Sequence, residues 1–278
     1  METKSCEELA KLAYEIRLKV LDMAYGVKTG HLGGSYSEAE IVTALYFHEM
    51  RVDPQNPKWP DRDRLVLSKG HAAPFLYASL AARGYFPEET LMTLRQKGSI
   101  LQGHPDMKRC PGIDMSTGSL GQGLSCAVGM AVAGKADRKD YRVFAILGDG
   151  EIDEGQIWEA FMSAQKNKLD NLIVFLDNNG LQGDGTCEEV MPHLDVTKKL
   201  EAFGFECYDI DGNDMREVLD VLDKVRDSAN GHPKFINAHT VKGKGVSFME
   251  NKCDWHSRIP TDSEYAQAKM ELEAKIRS

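Results

Sequence analysis

No apolar run in the 278 residues approaches the roughly 20 that a helix needs to cross a bilayer, so membrane insertion is not expected. The opening METKSCEELAKLAYEI is acidic and amphipathic, without the basic segment and long apolar stretch of a secretory signal. That predicts a cytoplasmic protein. Basic residues are the minority, 34 Lys and Arg against 43 Asp and Glu, for a net charge of -9. Phosphate backbones are gripped by clustered Lys and Arg, so nucleic acid is excluded as a leading partner. The six cysteines (Cys6, Cys110, Cys126, Cys187, Cys207, Cys253) are scattered, with no CxxC pair and no Cys/His spacing suited to zinc. They read as reduced, structural thiols. Internal repeats and low-complexity tracts are also missing. What is present is ordinary globular composition, 42% hydrophobic and 28% charged, at a length near the upper end for one domain. Residues 1–278 are expected to form one α/β domain, with a charged helical tail from about residue 262.

From Cys6 to Val27, apolar residues Leu9, Leu12, Ala13, Ile16, Val20 and Met23 recur at spacings of three and four, which predicts a helix with one apolar face. TGHLGGS follows, its glycines permitting close approach of main chain to a ligand. Ser35 is then placed to cap a second helix running to about Met50. DPQNPKWPDRDR reads as a loop and RLVLS as a short buried strand. Further on, YRVFAIL and NLIVFL are continuous apolar runs ended by GDG and DNNG, with helical spacing between them from Gln156 to Lys168. This is the pattern of central parallel strands joined by a crossover helix. FECYDI, a helix from about Met215 to Asp227, and KFINAHT make another such unit. The succession predicts a doubly wound, mostly parallel sheet with helices on both faces. Ligands bind such sheets beyond the carboxyl ends of the strands, so GDG and DNNG are expected to face one site.

Asp149 directly follows a strand between two glycines, and about 30 residues later Asn178 and Asn179 follow the next strand. Hard cations such as Mg²⁺ take oxygen ligands. The Asp149 carboxylate, the Asn179 amide oxygen and the Leu181 carbonyl suit that role and leave positions for a ligand's phosphates. Gly148 and Gly150 remove side-chain bulk, so main-chain N–H groups can approach a diphosphate, aided by the helix that begins near Glu154. Each segment alone reads equally well as a tight turn. At this spacing and in this topology, the pair points to a cation-anchored diphosphate.

These segments resemble the thiamine diphosphate motif, and the surrounding text resembles the transketolase family. The resemblance is carried by TGHLGGS, DPQNPKWPDRDRLVLSKGH, GHPD, STGSLGQGLSCAVGMA, LGDGEIDEGQIWEA and LDNNGLQGDG, with weaker similarity through HTVKGKGV and DWHSRIP. It implies the fold's diphosphate-binding type of domain, with thiamine diphosphate as cofactor and Mg²⁺, or Ca²⁺ or Mn²⁺, held by Asp149, Asn179 and the Leu181 carbonyl. Gly150 and Asn179 would touch the diphosphate. Gly118, Ser119 and Leu120 fall where the family's GPL segment meets the cofactor, with Ser119 in place of the usual proline. His71 would also lie against the cofactor. His31, His104 and His256 fall on the family's active-site positions. The resemblance implies that His104 binds the donor's C1 hydroxyl and that His31 and His256 assist at the carbonyl and adjacent hydroxyl. Histidine suits that work because hydroxyl protons must move and developing alkoxides be stabilised near neutral pH. WHSRIP departs from the family's usual text at His256, which is also counted with the cofactor contacts. Glu154 resembles a family glutamate in a carboxylate network between two cofactor sites; its plainer reading is charge compensation at a helix N-terminus. His48, His193, His232 and His239 match no family position, and nothing in the sequence explains Glu151 or Asp153.

In the family, the glutamate that activates the cofactor and most groups that grip the sugar phosphate belong to a second, pyrimidine-binding domain. This chain is expected not to carry such a domain itself. The expectation is therefore the N-terminal component of a split transketolase, working with a pyrimidine-binding partner in an α2β2 heterotetramer on sugar phosphates. Two alternatives share the motif: the α component of a 2-oxo-acid dehydrogenase, and a noncatalytic cofactor-binding homologue. The histidines of GHLGGS and SKGH suit polyhydroxylated sugars better than oxo acids.

Overall fold

The computed structural model describes residues 4–228 and 230–277. Helix α1 (Cys6–Val27) begins at a capping box in which Ser5 Oγ accepts from the Glu8 N–H and the Glu8 carboxylate accepts from the Ser5 N–H. Then come α2 (Leu32–Ser37), α3 (Ala39–Ala44), β1 (Arg64–Leu67), α4 (Ala73–Arg83), α5 (Gln122–Ala136), β2 (Val143–Gly148), α6 (Gly155–Lys166) and β3 (Leu172–Asn178). The chain continues through α7 (Cys187–Val190), α8 (Val196–Ala202), β4 (Glu206–Asp211), α9 (Met215–Asp227), β5 (Lys234–His239) and α10 (Asp262–Arg277). The five strands form one sheet in the order β1-β2-β3-β5-β4, every pairing parallel.

The doubly wound reading holds. Successive side chains of a strand point to opposite faces, and the two apolar layers divide accordingly. Phe144, Ile146, Ile173, Phe175 and Ile236 pack with α1, α3, α4 and α9 on one side. Val143, Ala145, Leu147, Leu172, Val174 and Leu176 pack with α5, α6 and α8 on the other. Burial on both faces is why β2 and β3 read as unbroken apolar runs.

One local expectation is corrected. The second helix starts at Leu32, so Ser35 lies inside α2, where its hydroxyl donates to the Ala72 carbonyl (3.3 Å) instead of capping. The helix does not run to Met50 either. It breaks at Glu38 (φ -88°, ψ 5°), resumes as α3, and ends in a π-helical turn over Leu45–Glu49. Ser37 at the break donates to Asp177 Oδ2 (2.6 Å), so polar side chains buried against the sheet set the interruption. The α2–α3 segment is anchored to α1 by Arg17, fully buried, whose guanidinium donates to both Glu40 oxygens (2.6 and 2.7 Å) and to the Tyr36 carbonyl (2.8 Å). Lys69, two residues past β1, donates to the Gly34 carbonyl (2.9 Å), which ties the start of α2 to the end of the sheet.

Candidate active site

The register of β2 with β3 sets Gly148 beside Asp177, so the turns that follow the two strands meet. Asp149 accepts from the Gly150 N–H through Oδ1 (2.9 Å) and from the Gly180 N–H through Oδ2 (2.6 Å), which bonds one turn to the other. Burial, then the nearby Asp177 carboxylate, pushes Asp149 above the ordinary carboxylate range. A cation there would offset both effects. Asn179 Oδ1 accepts from the Leu181 N–H (3.2 Å) and its Nδ2 donates to Asp177 Oδ2 (3.2 Å), so the amide is held by the same loop.

A cleft of about 200 Å³ opens at this junction. Asp149, Gly150, Asn179, Leu181, His71, Leu120 and His256 all line it. Gly118 lies just outside, at φ 133°, where a side chain's Cβ would stand 2.9 Å from the His104 ring; only glycine fits that conformation and that contact. Ser119 is exposed beside it, and Glu154 is exposed at the start of α6, outside the cleft of this chain. The four histidines cluster here, His71 and His256 lining the cleft and His31 and His104 standing beside them. His71 stands 4.9 Å from His256 and 5.6 Å from His31 between ring centroids, with His31 to His256 at 5.4 Å and His31 to His104 at 6.5 Å. His256 arrives there because its neighbour Trp255 is buried, with the indole N–H donating to the Phe248 carbonyl (3.2 Å). Burial lowers His31 to about 4 and His71 to about 2, and also lowers His104 and His256, so imidazole rather than imidazolium is favoured. Three other histidines bond elsewhere: His193 with Asp153 (2.6 Å), His232 with the Gly204 carbonyl (2.9 Å) and His239 with Asp209 (3.0 Å).

Sequence reasoning passed over the polar floor of this cleft. Lys69 is buried with its ammonium 2.6 Å from Asp177 Oδ2, 2.9 Å from Glu38 Oε2 and 2.9 Å from the Gly34 carbonyl. Burial alone would lower Lys69, but Asp177 and Glu38 outweigh it and raise it. Glu38 moves the other way in charge: burial first, with Asp177 adding to it, raises its carboxyl to about 8 despite Lys69. Asp177 also accepts from Thr240 Oγ1 (2.5 Å), making it the hub that orients Asn179. Lys242, in the cleft wall, donates to the Leu181 and Gln182 carbonyls (3.1 and 3.2 Å). Asp153 acquires a role too, tying Gln182 (2.9 Å) and His193 to the start of α6. The signal that could have found Lys69 and Lys242 was their setting among glycines, in SKGH and VKGKGV.

The residues fit the implied groups. Among the described residues no group of three or more His, Cys, Asp or Glu is placed for a metal ion; the expected set instead has one carboxylate with amide and main-chain oxygens, which suits Mg²⁺. Lys242 already sets a cationic nitrogen on the Leu181 carbonyl, showing that this oxygen faces positive charge. His31 Nδ1 is buried with no hydrogen-bond partner, as a site awaiting a polar ligand requires.

Residues 9–276 match the family described as transketolase, thiamine diphosphate binding domain. This chain belongs to the transketolase family. It is 47% identical over 266 residues to the 6-deoxy-6-sulfo-D-fructose transketolase subunit SqwG of Clostridium sp. (strain MSTE9), covering 96% of each chain. To an apulose-4-phosphate transketolase subunit of Phocaeicola vulgatus it is 43% identical, covering 94% of this chain and 92% of that one. The crystal structure of transketolase from Campylobacter jejuni superposes with a TM-score of 0.89 at 32% identity, over 95% of this chain but 42% of that one. The chain thus spans nearly all of the two subunits and less than half of the longer transketolase. Its fold is that of a transketolase N-terminal domain, and its family makes it a thiamine diphosphate-binding component of a transferase. The 2-oxo-acid dehydrogenase reading is set aside by this match. No helix among the described residues is long and apolar enough to cross a membrane.

Proposed function

We propose that this chain is the diphosphate-binding subunit of a two-chain transketolase that moves a two-carbon ketol unit from a ketose phosphate, or a sulfonated or branched relative, to an aldose. The observation that carries the reading is the junction of the two post-strand turns, where Asp149 bonds to Gly150 and Gly180 beside four clustered histidines. Asp149, Asn179 and the Leu181 carbonyl would hold Mg²⁺; Gly150, Asn179, Leu120, His71 and His256, with Gly118 and Ser119 alongside, would seat thiamine diphosphate, to which Lys242 adds a cation. Bound there, the cofactor supplies the nucleophilic carbon for ketol transfer. His104, beside the cleft, would take the donor's C1 hydroxyl. His31 and His256, neutral at physiological pH, can accept a proton at one ring nitrogen and donate at the other as the carbonyl and hydroxyl exchange hydrogen. Glu154, outside this cleft, is assigned to contact across a subunit boundary with a second site.

The histidine cluster reaches the surface at His104, which is exposed, so a pyrimidine-binding partner is assigned to cover it, in an α2β2 heterotetramer placed in the cytoplasm. The test is to combine the chain with such a partner, thiamine diphosphate and Mg²⁺, and to offer a panel of ketose phosphates together with 6-deoxy-6-sulfo-D-fructose and apulose 4-phosphate. Ketol transfer from one of them, absent when either chain is omitted, is expected. Tight cofactor binding with no transfer from any sugar in any pairing would instead identify a noncatalytic homologue.

A further inference from the structure

Glu151 lines the cleft that is to receive a diphosphate, yet like charges repel and a bare carboxylate there would weaken binding. The side chain is not bare. It is 2% exposed, its Oε1 accepts from Ser68 Oγ (2.5 Å) and the Gly121 N–H (2.8 Å), and its Oε2 accepts from the Gly148 N–H (3.2 Å). The three donors come from three elements: Ser68 directly follows β1, Gly148 ends β2, and Gly121 caps α5, the helix entered from Gly118–Leu120. Gly121 presents its N–H from a left-handed conformation (φ 83°). Beside it, a Cβ on Gly123 would come within 2.5 Å of Ser68 Oγ, so the helix start packs hard against the end of β1. No other side chain bonds these three donors together among the described residues.

We infer that Glu151 is a positioning residue: by bridging the start of α5 to the ends of β1 and β2, it fixes the distance between the Leu120 wall of the cleft, which leads into α5, and the Asp149–Gly150 wall. The inference rests on the cofactor reading of the cleft. A ligand that touches both walls depends on that distance; a ligand that touches only the Asp149 side does not. Removing the carboxylate leaves two main-chain N–H groups and a hydroxyl to find other partners, and the α5 start loses its tie to the diphosphate turn.

Two probes separate this from a role in charge or in bulk stability. Thiamine diphosphate with Mg²⁺ spans both walls, whereas inorganic pyrophosphate with Mg²⁺ reports on the Asp149 side. Their affinities are measured by titration calorimetry on the full chain, with its partner present, for the wild type, Glu151→Gln, Glu151→Ala and Ser68→Ala. The expected result is that Glu151→Ala weakens thiamine diphosphate by about tenfold or more, as sub-ångström misplacement of a binding wall does, and pyrophosphate by less than about threefold. Glu151→Gln, which keeps one acceptor, falls between wild type and Ala, and Ser68→Ala shows the same selectivity at smaller size without any change of charge. If removing the charge makes both anions bind more tightly, or if both weaken equally, the inference is overturned. A shifted urea midpoint with both affinities unchanged overturns it as well. A wild-type assembly that binds no thiamine diphosphate overturns the cofactor reading itself, a separate result.

Discussion

At the scale of single residues, position and desolvation matter more than residue type. Each of the four clustered histidines has its imidazole driven toward the neutral form by burial, so each keeps a donor and an acceptor nitrogen at pH 7. His104 is the exposed member of the four and stands outside the cleft, against Gly118. His104→Ala is therefore expected to leave thiamine diphosphate affinity within about twofold while raising the donor's Michaelis constant by about tenfold or more, the signature of a lost substrate contact; steady-state kinetics beside cofactor titration reads both. A cofactor affinity that falls in step would move His104 into the cofactor's seat. Asp149→Ala removes a proposed ligand and also the acceptor for two turn N–H groups. Thiamine diphosphate affinity in Mg²⁺ should drop by about a hundredfold or more, judged against the ten- to hundredfold typical of outer-shell losses. Unchanged affinity would remove Asp149 from the metal assignment. The types of these residues, and the turns that carry them, were legible in the sequence because glycine and post-strand polar residues mark such turns locally.

At the scale of elements, the α2–α3 break and the polar floor show what local reading misses. Lys69 and Asp177 are 108 residues apart in the chain and Ser37 and Asp177 are 140 apart, yet they share one buried network. A periodicity argument sees a helix across Ser35–Met50; it does not see that Ser37 must turn toward Asp177 and Glu38 toward Lys69, both from distant parts of the chain. The network has a pH signature. Glu38 sits fully buried against Lys69 and Asp177, with its carboxyl raised from 4.5 to about 8. Between those values the unfolded chain releases a proton that the folded chain keeps, so this group's stabilising contribution is complete below pH 4.5 and is lost as pH rises to about 8. Glu38→Gln removes that proton linkage. The variant should gain stability relative to wild type as pH goes from 5 to 8, by on the order of 1–3 kcal/mol, in urea denaturation at the two pH values. A difference independent of pH would show that Glu38 ionises normally in the folded state.

At the scale of the whole molecule, the sheet sets the site by parallel pairing. Phe175 in β3 is fully buried between the helices of one face and the strands beside it, two residues before Asp177. Phe175→Ala should cost about 3–5 kcal/mol, read by chemical denaturation, because the close-packed layer cannot collapse around the lost ring. A loss under about 1 kcal/mol would mean that the layer repacks freely. The sequence by itself determined the strand–helix alternation, the parallel doubly wound class and the two turns that end β2 and β3, since periodicity, apolar runs and glycine punctuation are local properties. The tertiary structure alone decided that Glu151 bridges three elements, that Lys69 and Lys242 face the cleft, and how closely His31, His71, His104 and His256, grouped by the family resemblance, approach one another. Those outcomes depend on strand order and register, which bring distant segments within hydrogen-bonding range, and on burial, which sets protonation only after the chain has folded.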